Sequence, residues 1–172
     1  MIAYTANRKQ RGFTIVELLI VIVIIGILAA ITVVAYSGFQ GRAHDVAIQN
    51  DLRNLAAKAR TFQVDNGFLP STNAEFSAMG LRVSKNSYSH YFNGTAEYNL
   101  VYCYRPSLQP TEFAIIAFGK NKHYKYDAGG KLSEFTIGKT GSVTACADAG
   151  VALDNGNDRY WFYDNNAWRT YL

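Results

Sequence analysis

Residues 13–36 read FTIVELLIVIVIIGILAAITVVAY and constrain this chain more than any other feature. Glu17 is the sole charge in them, and Thr14 and Thr32 are the only other clearly polar side chains. As a helix this stretch extends ~36 Å, enough to cross a hydrocarbon core of ~30 Å. Apolar residues fall on every side of it, as a lipid-facing span or a packed bundle requires. The preceding MIAYTANRKQRG is polar and basic, so that end is expected to stay in the cytoplasm and the chain beyond Tyr36 to be exported. A secretory signal peptide has a shorter apolar core followed by a small-residue cut site. Ala29-Ala30 is such a pair, but the apolar run continues through Val34. A plain signal anchor accounts for all of this except Glu17, because a carboxylate in a membrane helix is unfavourable and points to a functional partner.

The 172 residues allow one globular domain plus this appendage. With 49% hydrophobic and 17% charged residues and three prolines, the chain is not largely disordered. A mean hydropathy of -0.07 excludes several membrane spans. Of the seventeen Lys and Arg residues, Arg8, Lys9 and Arg11 lie in the basic leader, leaving fourteen against thirteen acidic residues. So neutral a body argues against bulk electrostatic binding to nucleic acid.

Arg11-Gly12-Phe13-Thr14-Ile15-Val16-Glu17-Leu18-Leu19 resembles the class III leader of type IV pilins and their relatives. The resemblance implies that a prepilin peptidase cuts after Gly12 and methylates the new terminal amine of Phe13. It also implies that Glu17 acts in assembly by meeting the amine of a neighbouring subunit. The physics is consistent with that role. Cleavage creates a cation at Phe13, Glu17 lies one helical turn away, and in a bundle of apolar helices each charge strongly favours a partner.

Ser37-Gly38-Phe39-Gln40-Gly41 marks the passage from membrane to water, and Gly26, Gly38 and Gly41 are candidate points for a kink or local melting. Residues 37–66 are expected to form the amphipathic second half of the helix. Ile48, Leu52, Leu55, Ala59 and Phe62 make one apolar stripe that needs a cover, and Asn66-Gly67 with Pro70 ends the helix. Continuous from 13 to 66, the helix would be ~81 Å long. Thr72-Asn73-Ala74-Glu75 reads as a capping box opening a short helix that Gly80 ends.

Strand signals follow at Tyr98–Arg105, Glu112–Phe118, Lys122–Tyr126, Leu132–Ile137, Arg159–Asp164 and Ala167–Tyr171, separated by short turns. The fold class is therefore α+β: a long N-terminal helix packed on an antiparallel sheet formed from residues 67–172. Cys103 and Cys146, the only cysteines, would close a loop of about 43 residues if oxidised on an exported domain, as is common in pilins. Two unpaired thiols are the alternative.

Lys120, Lys122, His123, Tyr124, Lys125 and Tyr126, with Lys131 nearby, are a candidate patch for single-stranded DNA or a glycan, against a solvated hairpin whose tyrosines pack on the sheet. Asp154, Asn155, Asn157 and Asp158 around Gly156 are a weak calcium candidate without EF-hand spacing. Asn93-Gly94-Thr95 matches a glycosylation acceptor, and His44, His90 and His123 are scattered. No nucleophile, base or metal constellation assembles, no cofactor is expected, and there is no phosphate-cradling loop. The expected function is a structural subunit of a type IV pilus-like filament serving adhesion, motility or DNA uptake. The resemblance implies as partners other copies of the chain, minor pilins, the prepilin peptidase, an assembly ATPase and its inner-membrane platform. It implies storage as a single-pass membrane protein, then an extracellular filament that could meet DNA or a host surface. The alternatives are a pseudopilin of a type II secretion system and a membrane-anchored binding module that never polymerises.

Overall fold

The computed structural model describes residues 12–89, 91–92, 97–105, 112–136, 142–151, 159–164 and 167–168. Contacts divide the chain into two compact units, Met1–Phe39 and Gln40–Leu172. Helix α1 covers Ile15–Asn66. In the first unit its large apolar side chains are exposed, from Ile15 at 80% to Val34 at 74%. The helix is long and apolar enough to cross a membrane, with a mean hydropathy of 3.3 in its most apolar window and none of that window buried. Thr32 hydrogen-bonds within the helix, its hydroxyl donating to the carbonyls of Leu28 and Ala29 at 2.9 Å each. A hydroxyl satisfied in this way is compatible with lipid.

In the second unit α1 becomes one-sided. Ile48, Leu52, Leu55, Ala56 and Ala59 are buried, and they supply the helix side of the main core. The helix stops at Asn66 because Gly67 adopts φ +82°, a left-handed conformation that a Cβ disfavours, while its N–H donates to the Gln63 carbonyl at 2.8 Å. Phe68 then packs edge-on against Phe62 at 5.6 Å. Helix α2 (Asn73–Ala78) opens with the expected reciprocal capping box between Thr72 and Glu75, and Lys58 closes its far end by donating to the carbonyls of Met79 and Gly80 at 2.6 and 2.9 Å.

The strands are β1 (Tyr91–Phe92), β2 (Glu97–Tyr98), β3 (Leu100–Arg105), β4 (Glu112–Phe118), β5 (His123–Tyr126), β6 (Leu132–Phe135), β7 (Arg159–Trp161), β8 (Tyr163–Asp164) and β9 (Ala167–Trp168). Five form one antiparallel sheet in the order β6-β5-β4-β3-β7, and β1-β2 and β8-β9 form small ribbons. Period-two alternation decides the layers. Leu100, Tyr102, Phe113, Ile115, Ala117 and Tyr124 face the α1 stripe. Val101, Cys103, Ala114, Ile116 and Phe118 face a second core.

That second core is closed by α3 (Ser142–Asp148), a helix that the sequence reading did not anticipate. Among its described side chains the buried ones are small, Ala145 and Cys146 with Ala149 just beyond, and they make no bulky periodic stripe. Cys103 on β3 and Cys146 on α3 form a disulfide with Cα atoms 5.7 Å apart, which staples the helix to the sheet. Lys125 also holds α3, its Nζ donating to the Asp148 carbonyl at 2.6 Å. Two expected strands are each interrupted. Asn99 separates β2 from β3, its carbonyl accepting from the Phe118 N–H at 2.8 Å, and Phe162 separates β7 from β8. Phe162 turns inward instead, fully buried against Phe76 with ring centres 5.0 Å apart. Although the last strands follow Cys146 in sequence, β7 returns to pair with β3 beside Cys103.

Candidate functional site

Gly12, Phe13 and Thr14 precede the first turn of α1, and Phe13 is 87% exposed. The turn itself is built by two polar residues. Glu17 Oε2 accepts hydrogen bonds from the Thr14 N–H at 2.9 Å and the Thr14 hydroxyl at 2.8 Å, and the Glu17 N–H donates to Thr14 Oγ1 at 3.2 Å. Thr14 is thus the N-cap and Glu17 the third helical residue of a reciprocal capping box. The signature Thr-x-x-Glu stands openly in the sequence, inside the leader motif. Ile15, Val16, Leu18 and Leu19 around the box are all at least half exposed, so the one carboxylate of the apolar surface is oriented by its own backbone.

The chemical consequence follows from chain position. A cut between Gly12 and Phe13 would leave a terminal amine one residue before the N–H that already donates to Glu17. The carboxylate keeps lone pairs for a further donor, which the same chain or another copy could supply.

The basic and aromatic run at Lys120–Tyr126 is not one patch. Along β5 the side chains alternate. Tyr124 is buried against the α1 stripe, and Tyr126 stacks on Phe113 at 6.1 Å, while Lys125 caps α3 on the other face. His123 lies between the rings of Phe118 and Phe135 at 5.6 and 6.1 Å, and burial lowers its pKa. Lys122 pairs with Glu134 at 2.7 Å, and Lys120 stays exposed. His44 Nδ1 lies 3.0 Å from Ser87 Oγ, far from His123 in role, and His90 is outside the described residues. The calcium candidate Asp154, Asn155, Asn157 and Asp158 and the Asn93-Gly94-Thr95 tripeptide also lie outside the described residues. Among the described residues no group of three or more His, Cys, Asp or Glu side chains converges as for a metal.

A capped apolar helix behind a basic leader, joined to an α+β domain, is the architecture of a type IV pilin-like protein. The comparisons agree. Residues 7–33 match the family model described as the prokaryotic N-terminal methylation motif. The chain is 34% identical over 73 residues to type II secretion system core protein G of Pseudomonas aeruginosa, covering 42% of this chain and 51% of that protein. It is 36% identical over 75 residues to the type IV wide pilus major component PilA4 of Thermus thermophilus, covering 44% and 57% respectively. To the type IV major pilin protein PilA of Myxococcus xanthus it is 41% identical over 56 residues, 33% of this chain and 26% of that one. The chain spans about half the length of the first two relatives. These families are structural subunits rather than enzymes.

Proposed function

We propose that this chain is the structural subunit of a type IV pilus-like filament. It is stored as a single-span membrane protein and cleaved after Gly12 by a prepilin peptidase that methylates Phe13. It then polymerises through α1 with copies of itself and minor pilins, driven by a partner ATPase on a membrane platform. One observation carries the reading most directly: Glu17 is the only charge on an otherwise apolar, exposed helix surface, and it is held in a defined orientation by Thr14 next to the proposed new terminus. In a bundle of such helices an unmatched carboxylate would cost ~3–5 kcal/mol, so one axial register between copies is favoured over sliding.

Mass spectrometry of the native protein's N-terminus tests this. A methylated Phe13 as first residue, in material that sediments as filaments, supports the reading. A retained Met1–Gly12 on a strictly monomeric protein overturns it and leaves the anchored binding module. The similarity to type II secretion core protein G favours a second reading within the same class, a pseudopilin. A deletion strain separates the two: loss of surface filaments with normal protein secretion supports the pilus, and the converse supports the pseudopilus.

A further inference from the structure

Asn66-Gly67 ends α1, and it is also the dipeptide in which asparagine deamidates most readily, because glycine puts no side chain in the way of ring closure. The reaction runs through a five-membered succinimide. The Gly67 backbone nitrogen bonds to Asn66 Cγ, the Cγ–Nδ2 bond breaks, and the proton of the attacking nitrogen passes through solvent to the departing group, which leaves as ammonia. Water then adds at either ring carbonyl and opens the ring, giving aspartate or isoaspartate at position 66. Water is the only co-reactant, and both residues are exposed to it.

The fold opposes each part of that chemistry. Asn66 is the last helical residue, and the ring includes its Cα–C bond, so closure needs a ψ far from the helical value of about −42°. The leaving group is engaged, Asn66 Nδ2 donating to the Phe62 carbonyl one turn earlier at 2.9 Å. The nucleophile is engaged as well, the Gly67 N–H donating to the Gln63 carbonyl at 2.8 Å. Beyond the glycine, Phe68 packs edge-on against Phe62 with ring centres 5.6 Å apart, which holds the outgoing chain in this turn. Opening the last turn releases both reacting groups together.

From these contacts we propose that Asn66 is a self-modifying site gated by the end of α1. Closed, the turn preserves the asparagine; open, it converts irreversibly to aspartate or isoaspartate. The product then works against reclosure. It puts a carboxylate beside Asp65 at the negative end of a helix whose last turn carries no basic residue. Isoaspartate also lengthens the main chain by one methylene, which moves Gly67 off the Gln63 carbonyl. Position 66 thus records in covalent form whether a subunit has kept the junction between α1 and the segment that leads to the buried Leu69 and Pro70. The chemistry stands whether or not the chain polymerises.

Each net hydrogen bond is worth about fivefold in an equilibrium, so the two together hold the reactive conformer down roughly thirtyfold. The full-length chain is incubated in detergent micelles in mildly alkaline buffer, with and without guanidinium. Conversion at position 66 is followed by tryptic peptide mapping, with electron-transfer fragmentation to separate isoaspartate from aspartate. Asn93-Gly94 and Asn155-Gly156, outside the described residues, fall in other tryptic peptides and are counted apart. Asn66 is expected to convert about thirtyfold more slowly without guanidinium than with it. Phe68→Ala touches none of the reacting atoms, yet loss of the aromatic pair should speed conversion in the folded chain roughly two- to tenfold. Asn66→Gln, whose ring would need six members, should stop it. Equal rates with and without guanidinium overturn the proposal. So does a Phe68→Ala variant that converts no faster than the parent, or an Asn66 that stays intact in guanidinium.

Discussion

Asn121 donates a 2.6 Å hydrogen bond to Asp45 across 76 residues, tying the turn between β4 and β5 to α1. Asp45 is 8% exposed, and its second oxygen, Oδ1, is buried without a partner, so the carboxylate relies on this one amide. Removing the amide strands a buried acceptor, which costs about 1–3 kcal/mol. Asn121→Ala should therefore lower the thermal midpoint by several degrees. Asp45→Asn, which removes the buried charge, should recover part of the loss when combined with it. Additive losses in the double mutant would show that the pair is not coupled.

Gly119 occupies a position where no other residue fits. A Cβ there would lie 2.3 Å from the Lys122 carbonyl oxygen and 2.4 Å from Ile48 Cδ1. The first clash is with backbone and is relieved only by distorting the turn. Gly119→Ala is expected to destabilise by at least the ~1–3 kcal/mol typical of overpacking. Ile48→Val added to it should rescue little, because trimming the side chain leaves the carbonyl in place. Full rescue, read by denaturant unfolding, would place the strain in the side chain instead.

The disulfide holds a layer that has little else to hold it. Helix α3 has seven residues, below the length at which isolated helices persist, and among its described side chains it buries only Ala145 beside Cys146. Cys103→Ser with Cys146→Ser, closing no 43-residue loop, should cost about 2–4 kcal/mol. Amide exchange should rise first in residues 145–151 while β3 and β4 stay protected. Uniform loss of protection across the sheet would mean that the two cores unfold as one.

Much of this fold was legible because its signals are periodic. The α1 stripe, the Asn66-Gly67 stop, the Thr72–Glu75 box and β4 all follow from spacing or turn chemistry in sequence, and each is found where expected. What escaped has a physical reason. Among the described side chains of α3 the buried ones are alanine and cysteine, too small to mark a face. Asn99 breaks an otherwise strand-like run at a residue type depleted in strands, whereas Phe162 breaks one because burial against Phe76 overrides its strand propensity. The Lys120–Tyr126 run is a cluster in sequence alone, since strand alternation sends its members to opposite faces. At the N-terminus the leader was legible as a motif, whereas the hydrogen bonding of Thr14 to Glu17 needed geometry.

That geometry makes Glu17 testable apart from membrane insertion. Glu17→Ala removes the carboxylate and leaves Phe13 and the apolar span intact. Export, scored by protease access to the domain in spheroplasts, should be unchanged, and filament yield should fall by at least tenfold, the factor that ~1.4 kcal/mol per subunit contact would produce. Thr14→Val keeps the carboxylate but removes the hydroxyl that orients it, and should weaken assembly less than Glu17→Ala. Normal filament yield from Glu17→Ala would remove the central support for a polymerising subunit.

The capping box of α2 gives stability a pH dependence whose sign can be worked out. Burial raises the pKa of Glu75, but hydrogen bonds from the backbone N–H groups of Ser71 and Thr72 and from their hydroxyls outweigh it, so the net shift is downward. A carboxylate with a depressed folded-state pKa contributes stability that is present above its unfolded value, about 4.3, and lost as pH falls through the folded value. Asp51 on α1 has the opposite sign. Burial raises its pKa despite bonds from Ser84 and Tyr88, so its contribution is greatest in acid and lost as pH rises. The whole-protein profile mixes the two, and a difference measurement isolates Glu75. Glu75→Ala should cost about 1 kcal/mol near pH 7, as for loss of a helix cap. The gap between parent and variant should start to narrow as pH falls past the unfolded value of about 4.3 and should close only below the lowered folded-state value. Chemical denaturation at a series of pH values reads that gap directly, and a gap that stays constant down to pH ~3 would mean that Glu75 acts through packing rather than through charge.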